Sequence, residues 1–267
     1  MNIILTNRGV YPKNFSFENK INSSQPVYEV IRIIEGIPLF LEEHFGRLNH
    51  SLKIQDWKPA MEFEEFKDQI HQLIKLNQQE YGNVKFEFSS SGDETYWVFS
   101  FIPHSYPTPE DYRNGVRTDL VFDERKNPNA KVVQNKIREK SNQMIKEHNL
   151  FEILLVNRNG LITEGSRSNV FFVKDGIFYT APSSMVLVGI TRQKVMECLK
   201  ILKFSVIEEA VSASQLAQFD AAFLTGTSPK VLPIRSIVNQ EFNVQLMSVE
   251  KLIERYNNMI ADYIGTH

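Results

Sequence analysis

The chain has 267 residues, enough for two small domains, and its 42% hydrophobic and 23% charged content excludes disorder and fibrous repeats. With 30 basic against 32 acidic residues the net charge is −2, which leaves no Lys/Arg excess for a nucleic acid partner. A single cysteine, Cys198, excludes a disulfide framework and suits a reducing cytoplasm, while no apolar stretch approaches the roughly 18 residues of a membrane-spanning helix.

In chain order, Val27–Ile34 (VYEVIRII) alternates and is rich in β-branched residues, and Glu35–Gly36 turns it into Ile37–Leu41, a predicted hairpin. From Glu42 the spacing of Phe45, Leu48, Leu52 and Ile54 becomes helical, and Phe63–Leu76 repeats it through Phe66, Ile70, Leu73 and Ile74. Val84–Phe88 and Thr95–Ile102 read as strands, a proline-broken loop follows, and Gly115–Phe122 reads as one more strand. Asp123–Ala130 (DERKNPNA) is polar and holds no apolar run, so it reads as a linker. Beyond it Ile137, Ser141, Met144, Ile145 and His148 line one helix face, leaving Lys136 and Lys140 solvated. Glu152–Val156, Leu161–Thr163, Val170–Lys174 and Ile177–Thr180 are strands, joined in part by the hairpin dipeptides Asn159–Gly160 and Asp175–Gly176. Thr191–Lys203 is helical, and short strands follow at Ala222–Leu224 and Val231–Val238. The expected organisation is α+β: a smaller N-terminal domain over 1–122, a linker over 123–131 and a larger C-terminal domain over 132–267.

Several chemistries lack their motifs. There is no GxGxxG, no GxxxxGK[ST], no HExxH and no GxSxG, and no two of the 6 histidines stand at metal-ligand spacing, so no metal site is expected. His44 and His50 read as packed or surface imidazoles. Four segments remain, each joining a reactive or charged group to backbone suited to an anion. They are Arg47 in EHFGRL, Lys131 after the linker, Glu164 in ITEGSRSNV, and a pair of turns, GITR (Gly189–Arg192) and LTGTSP (Leu224–Pro229).

In their order and spacing these segments resemble the class IV, D-amino-acid and branched-chain type of pyridoxal-phosphate aminotransferase, a family that also contains 4-amino-4-deoxychorismate lyase. The likeness is strongest over Lys131–Ile234, in FEILLVNRNGLITEGSRSNVFFVKDGIFYTAP, VGITR and AFLTGTSPKVLPI. It implies a two-domain D-amino-acid aminotransferase-like fold with pyridoxal 5'-phosphate between the domains. Lys131 falls at the position of the lysine that forms an aldimine with the cofactor aldehyde and then moves the Cα proton. Glu164 resembles the acid beside the pyridine nitrogen, and Arg47 the arginine on the cofactor phosphate. Ile190 and Thr191 would offer backbone amides to that phosphate, and Gly226 and Thr227 an amide and a hydroxyl. Tyr28 matches the aromatic position on the substrate side.

The implied activity is an aminotransferase exchanging an amino group between a small amino acid and a 2-oxo acid. The alternatives are release of pyruvate by a 4-amino-4-deoxychorismate lyase and a non-catalytic cofactor binder. The resemblance also implies a cytoplasmic homodimer whose site is completed by a residue between Ser89 and Pro109 of the neighbouring subunit. Family text departs in three places. Asn19–Glu29 (NKINSSQPVYE) lacks a Gly-Asp pair, Ser89–Ser91 and Pro103–Pro109 lack the arginine that D-amino-acid enzymes bring to the substrate carboxylate, and Lys136 stands where branched-chain enzymes carry a tyrosine.

Overall fold

The structure is a computed structural model describing residues 3–14, 26–91, 94–125, 127–132 and 135–267, so residues 19–25 of the departing NKINSSQPVYE segment lie outside the described residues. The chain forms two units, one of Met1–Ser105, Ala130–Val133 and Ile260–His267, the other of Tyr106–Asn129 and Gln134–Met259. The architecture is mixed α and β in both units.

The first unit is an antiparallel sheet with two helices on one face. Its elements are β1 (Ile3–Thr6), β2 (Gly9–Pro12), β3 (Val27–Ile34), β4 (Ile37–Pro38), α1 (Leu41–Ile54), α2 (Phe63–Asn77), β5 (Gly82–Ser91) and β6 (Glu94–Ile102). The strand order is β2-β1-β6-β5-β3-β4. Period-two alternation divides the two faces. Val84, Phe86 and Phe88 of β5 lie opposite Phe101, Phe99 and Trp97 of β6, all buried, and Val27, Ile31 and Ile33 of β3 continue that apolar face. Leu48 and Leu52 of α1 and Phe66, Ile70 and Leu73 of α2 cover it, with the Phe66 ring packed against Phe86 and Phe99 at 5.2 and 5.3 Å. Tyr28, Lys85 and Glu87 belong to the opposite face.

The second unit holds α3 (Pro109–Asn114), β7 (Val116–Phe122), α4 (Asn135–His148), β8 (Glu152–Val156), β9 (Ile162–Gly165), β10 (Asn169–Lys174) and β11 (Ile177–Thr180). It continues with α5 (Ile190–Ile201), β12 (Val206–Glu208), β13 (Ala221–Gly226), β14 (Lys230–Ile237), β15 (Gln240–Glu241) and α6 (Met247–Thr266), whose last residues count with the first unit. The sheet runs β12-β11-β10-β13-β14-β7-β8-β9, with β15 on β14. β8 is buried along its whole length, as its apolar run Ile153–Val156 requires. Ile153 and Leu155 meet Ile137, Met144 and Ile145 of α4, while Leu154 and Val156 enter the core on the other face. Lys136, Lys140 and His148 are exposed on α4, so His148 is off the packed face on which the sequence pattern put it.

The division of the chain differs from the expected one in two ways. β7 belongs to the second unit, because it pairs in parallel with β14 and β8 rather than joining the strands that precede it. Ala130–Val133 count with the first unit, where Val132 bridges Val27. Residues 123–131 are accordingly no simple linker. Gly115 feeds the chain from α3 into β7 at φ +66°, and a Cβ there would lie 2.8 Å from both the Arg235 amide nitrogen and Val244 Cγ2. Gly115→Ala is expected to cost about 1–3 kcal/mol through strain and overlap, read as a lower urea midpoint with an unchanged slope.

Candidate active site

The first unit's part of the site starts from a misfit in β3. Val27, Glu29, Ile31 and Ile33 share the core-facing row, so a carboxylate sits among apolar residues with 0% exposure. Such a group must be met by cations or donors. α1 supplies them three residues apart on one helix face. Arg47 donates from Nε to Glu29 Oε1 at 2.8 Å and from Nη2 to Oε2 at 2.6 Å, and His44 Nδ1 lies 2.8 Å from Oε2.

Burial alone would push the Glu29 carboxyl up, but the Arg47 charge and the hydrogen bonds from Arg47 and His44 outweigh it and hold the group well below the usual carboxylate range. Burial, joined by the charges of Arg47 and Lys131, pulls His44 down against the opposing pull of Glu29. His44 is therefore a neutral imidazole that donates from Nδ1 to the carboxylate.

The same helix fixes Lys131. Ser51, fully buried, donates to the Arg47 carbonyl at 2.9 Å and accepts the Lys131 amide at 3.2 Å. The Lys131 carbonyl in turn accepts the Tyr28 amide at 3.0 Å. Its ammonium stands 4.8 Å from the centroid of the buried Tyr28 ring. Arg47, Lys131 and Tyr28 are thus brought together, and Glu29, His44 and Ser51 join them without having been singled out in the sequence. The signal for Glu29 was present: an acid in the apolar row of an alternating strand, with a His and an Arg at helical spacing ahead.

The second unit carries the other predicted residues. Glu164, on β9, is 2% exposed, ion-paired to Arg125 Nε at 2.9 Å, and 3.3 Å from the Leu187 amide that donates to it. Arg125 also donates to the Ser166 carbonyl at 2.7 Å. The turn after Glu164 is built around a second buried acid. Glu152 accepts from Ser166 Oγ at 2.7 Å, Ser168 Oγ at 2.9 Å and the amides of Ile153 and Arg167 at 2.9 and 3.2 Å. Gly165 is required there, since a Cβ would fall 2.2 Å from Ser168 Oγ. Sequence reading passed over both Arg125, inside the supposed linker, and Glu152, inside an apolar strand.

From Glu164 the contacts lead to the predicted phosphate residues. Asn169 donates to the Leu187 carbonyl at 2.9 Å and pairs across the sheet with Thr225. Gly189 caps α5, and a Cβ on it would lie 2.3 Å from Asn169 Oδ1. Ile190 and Thr191, both buried, then open the helix, where backbone amides and the helix dipole favour an anion. Gly226 ends β13 opposite Lys230, with Thr227 in the turn between them. Thr225 Oγ1 is buried without a hydrogen-bond partner, a donor suited to a phosphate oxygen. The residues present therefore fit pyridoxal phosphate: a fixed carboxylate, a helix start and an unanswered hydroxyl within one unit. Among the described residues no cluster of three or more His, Cys, Asp or Glu could hold a metal, and no helix is long and apolar enough to cross a membrane.

Comparison with known proteins shows the family of the chain. The family model for amino-transferase class IV matches residues 26–237. D-alanine aminotransferase of Bacillus licheniformis is 31% identical over 227 residues, 80% of this chain and 79% of that protein. In fold the chain resembles the branched-chain amino acid aminotransferase of Escherichia coli, with a TM-score of 0.85 at 21% identity over 97% of this chain and 94% of the other. It also resembles a putative 4-amino-4-deoxychorismate lyase from Legionella pneumophila, with a TM-score of 0.81 at 22% identity over 92% and 95%.

The pH dependence of stability follows from the buried cluster. Glu29 and His44 both titrate lower in the folded chain than their ordinary values of 4.5 and 6.5, so between the two values the unfolded chain binds more protons and stability rises with pH. Denaturation curves are expected to weaken as pH falls below about 6.5 and again below about 4.5. In the cofactor-free protein Glu29→Gln, which leaves the Arg47 charge buried and uncompensated, is expected to cost about 3–5 kcal/mol at neutral pH and to flatten the lower part of that dependence.

Proposed function

The chain belongs to the class IV aminotransferase family, whose enzymes use pyridoxal phosphate, and we propose that it exchanges an amino group between a small amino acid and a 2-oxo acid, with Lys131 as the reacting lysine. The observation that carries this reading is the setting of Lys131. Its amide and carbonyl are both engaged and its amine stands over Tyr28, whereas Lys136, Lys140 and Lys146 are exposed along α4.

In this reading the cofactor ring, when bound, acts as an electron sink for the substrate's Cα. Lys131 would move the proton between Cα and the cofactor carbon C4′, which calls for a neutral amine, and the Tyr28 ring directs that amine. Glu164, ion-paired to Arg125 and oriented by the Leu187 amide, would face the ring nitrogen and favour its protonated form. The amides of Ile190 and Thr191, with Thr225, Gly226 and Thr227, would hold the phosphate. The family likeness makes Arg47, its Nε and Nη2 committed to Glu29, the arginine that would meet the phosphate. Tyr28 borders the substrate. A cytoplasmic homodimer belongs to the same reading, supported by the lone buried Cys198 and by the family likeness.

The purified protein is expected to be yellow, to lose that absorbance on mixing with an amino acid donor, and to recover it with a 2-oxo acid. Pyruvate release from aminodeoxychorismate without an acceptor would assign the lyase activity instead. Lys131→Ala should abolish the colour and lower turnover by about 10²–10⁴ for the proton-transfer role alone. Borohydride reduction and peptide mapping should place the pyridoxyl mass on Lys131, and a mass on Lys136 or Lys140 would overturn the assignment. Sedimentation should give the mass of two chains; a fully active monomer would refute the dimer.

A further inference from the structure

The face of the first sheet turned away from α1 and α2 holds a second ammonium beside Tyr28. The β3–β5 register sets Tyr28 opposite Glu87 and Val30 opposite Lys85, so Lys85 is the diagonal neighbour of Tyr28. Its Nζ lies 5.5 Å from the Tyr28 ring centroid, and the Lys131 Nζ lies 4.8 Å from the same centroid. Both distances run to one buried ring, so the two amines are no further apart than their sum.

Lys85 is held in place by Glu87, whose Oε1 is 2.6 Å from its Nζ, and both side chains are partly open to solvent at 21% and 31% exposure. A partly exposed pair of this kind contributes little to stability, on the order of 0–1 kcal/mol. An ammonium has three donors, so Glu87 orients the group without exhausting it. The consequence for a substrate follows from its own geometry. Whatever amino acid presents its Cα to the Lys131 amine carries a carboxylate one bond away, and Lys85 is an oriented, solvent-reachable cation beside the same ring.

We infer that Lys85 receives the substrate's α-carboxylate and so selects amino acids and 2-oxo acids over simple amines. This rests on the reading of Lys131 as the residue that works at Cα. Lys85 contacts substrate and takes no part in the proton transfer, so its removal should separate binding from rate.

The test uses the cofactor-loaded protein and Lys85→Met, which keeps the apolar stem and removes the charge. Pyruvate binding is measured by titration calorimetry, and single-turnover loss of the cofactor absorbance is followed with D-alanine, L-leucine and isopropylamine, which carries a methyl where alanine has its carboxylate. In the variant the pyruvate dissociation constant and the half-saturating concentration of the amino acid donor should rise about ten-fold or more, the loss of one charge-assisted hydrogen bond. The limiting rate should change far less, and any reaction of isopropylamine should be unaffected. Lys85→Gln repeats the comparison should Lys85→Met fail to fold.

Unchanged pyruvate binding in the variants overturns the inference, as does a wild-type protein that does not bind pyruvate, or an equal loss for isopropylamine and the amino acids. A wild-type protein that binds pyruvate but reacts with no donor would refute the aminotransferase reading, while the calorimetric comparison would still decide the role of Lys85.

Discussion

A carboxylate with no access to water governs the first unit. Left alone, Glu29 would be among the most costly groups the fold could bury, so its partners are not optional. Both come from adjacent turns of α1, and satisfying them fixes that helix in rotation and in height against β3. The next residue on that helix face is Ser51, whose hydroxyl joins the Arg47 carbonyl to the Lys131 amide. The constraint then closes on itself, because the Lys131 carbonyl accepts the amide of Tyr28, the neighbour of Glu29. One buried charge thereby determines where a lysine amine stands.

The second unit solves the same problem twice in a few residues. Glu152 gathers two hydroxyls and two amides, which compels the chain after β9 into a tight turn with room only for glycine at position 165. Glu164, at the entrance of that turn, is met by Arg125 and by Leu187. Leu187 is tied to Asn169, and Asn169 to Thr225 across the sheet. Glu164 and the strand end at Thr225 are therefore linked through Leu187 and Asn169 by groups that need no ligand to hold them. Preorganisation of this kind lets binding energy go into orientation rather than into ordering the protein.

Local patterns made much of this legible. Alternation showed β3, β5 and β6, helical spacing showed α1, α2, α4 and α5, and the glycine dipeptides Glu35–Gly36 and Asp175–Gly176 do adopt the positive φ values such turns need. The losses occurred where partners are remote or the pattern was passed over. Parallel pairing leaves no mark in neighbouring residues, so the allegiance of β7 to β14 and β8 could not be read from Gly115–Phe122. DERKNPNA reads as a linker because it has no apolar run, yet Arg125 pairs with Glu164 and Ala130 is buried in the first core. β1, β2 and α3 are short and were not anticipated. The last helix was legible in principle, since Val249, Leu252, Tyr256 and Ile260 are buried at helical spacing.

The choice of one lysine among its neighbours follows from a two-residue alternation too short to be noticed as a strand. Ala130 is 1% exposed and Val132 is 6% exposed, and both belong to the core beneath α1 and α2. Val132 bridges Val27, a residue of the same apolar row as Glu29, so the two flanking side chains point to the helix side of the sheet. Alternation then sends Lys131 to the other face, where Tyr28 stands. A slip of one residue would bury the ammonium in the core and expose two apolar side chains, an exchange unfavourable on both counts. Lys136 and Lys140 have no such anchor, because a helix packed on one face leaves the side chains of its other face in solvent whatever their chemistry. The Lys131 amine is therefore placed beside Tyr28 by the small apolar residues on either side of it, which the chain would need for folding even if it had no chemistry to perform.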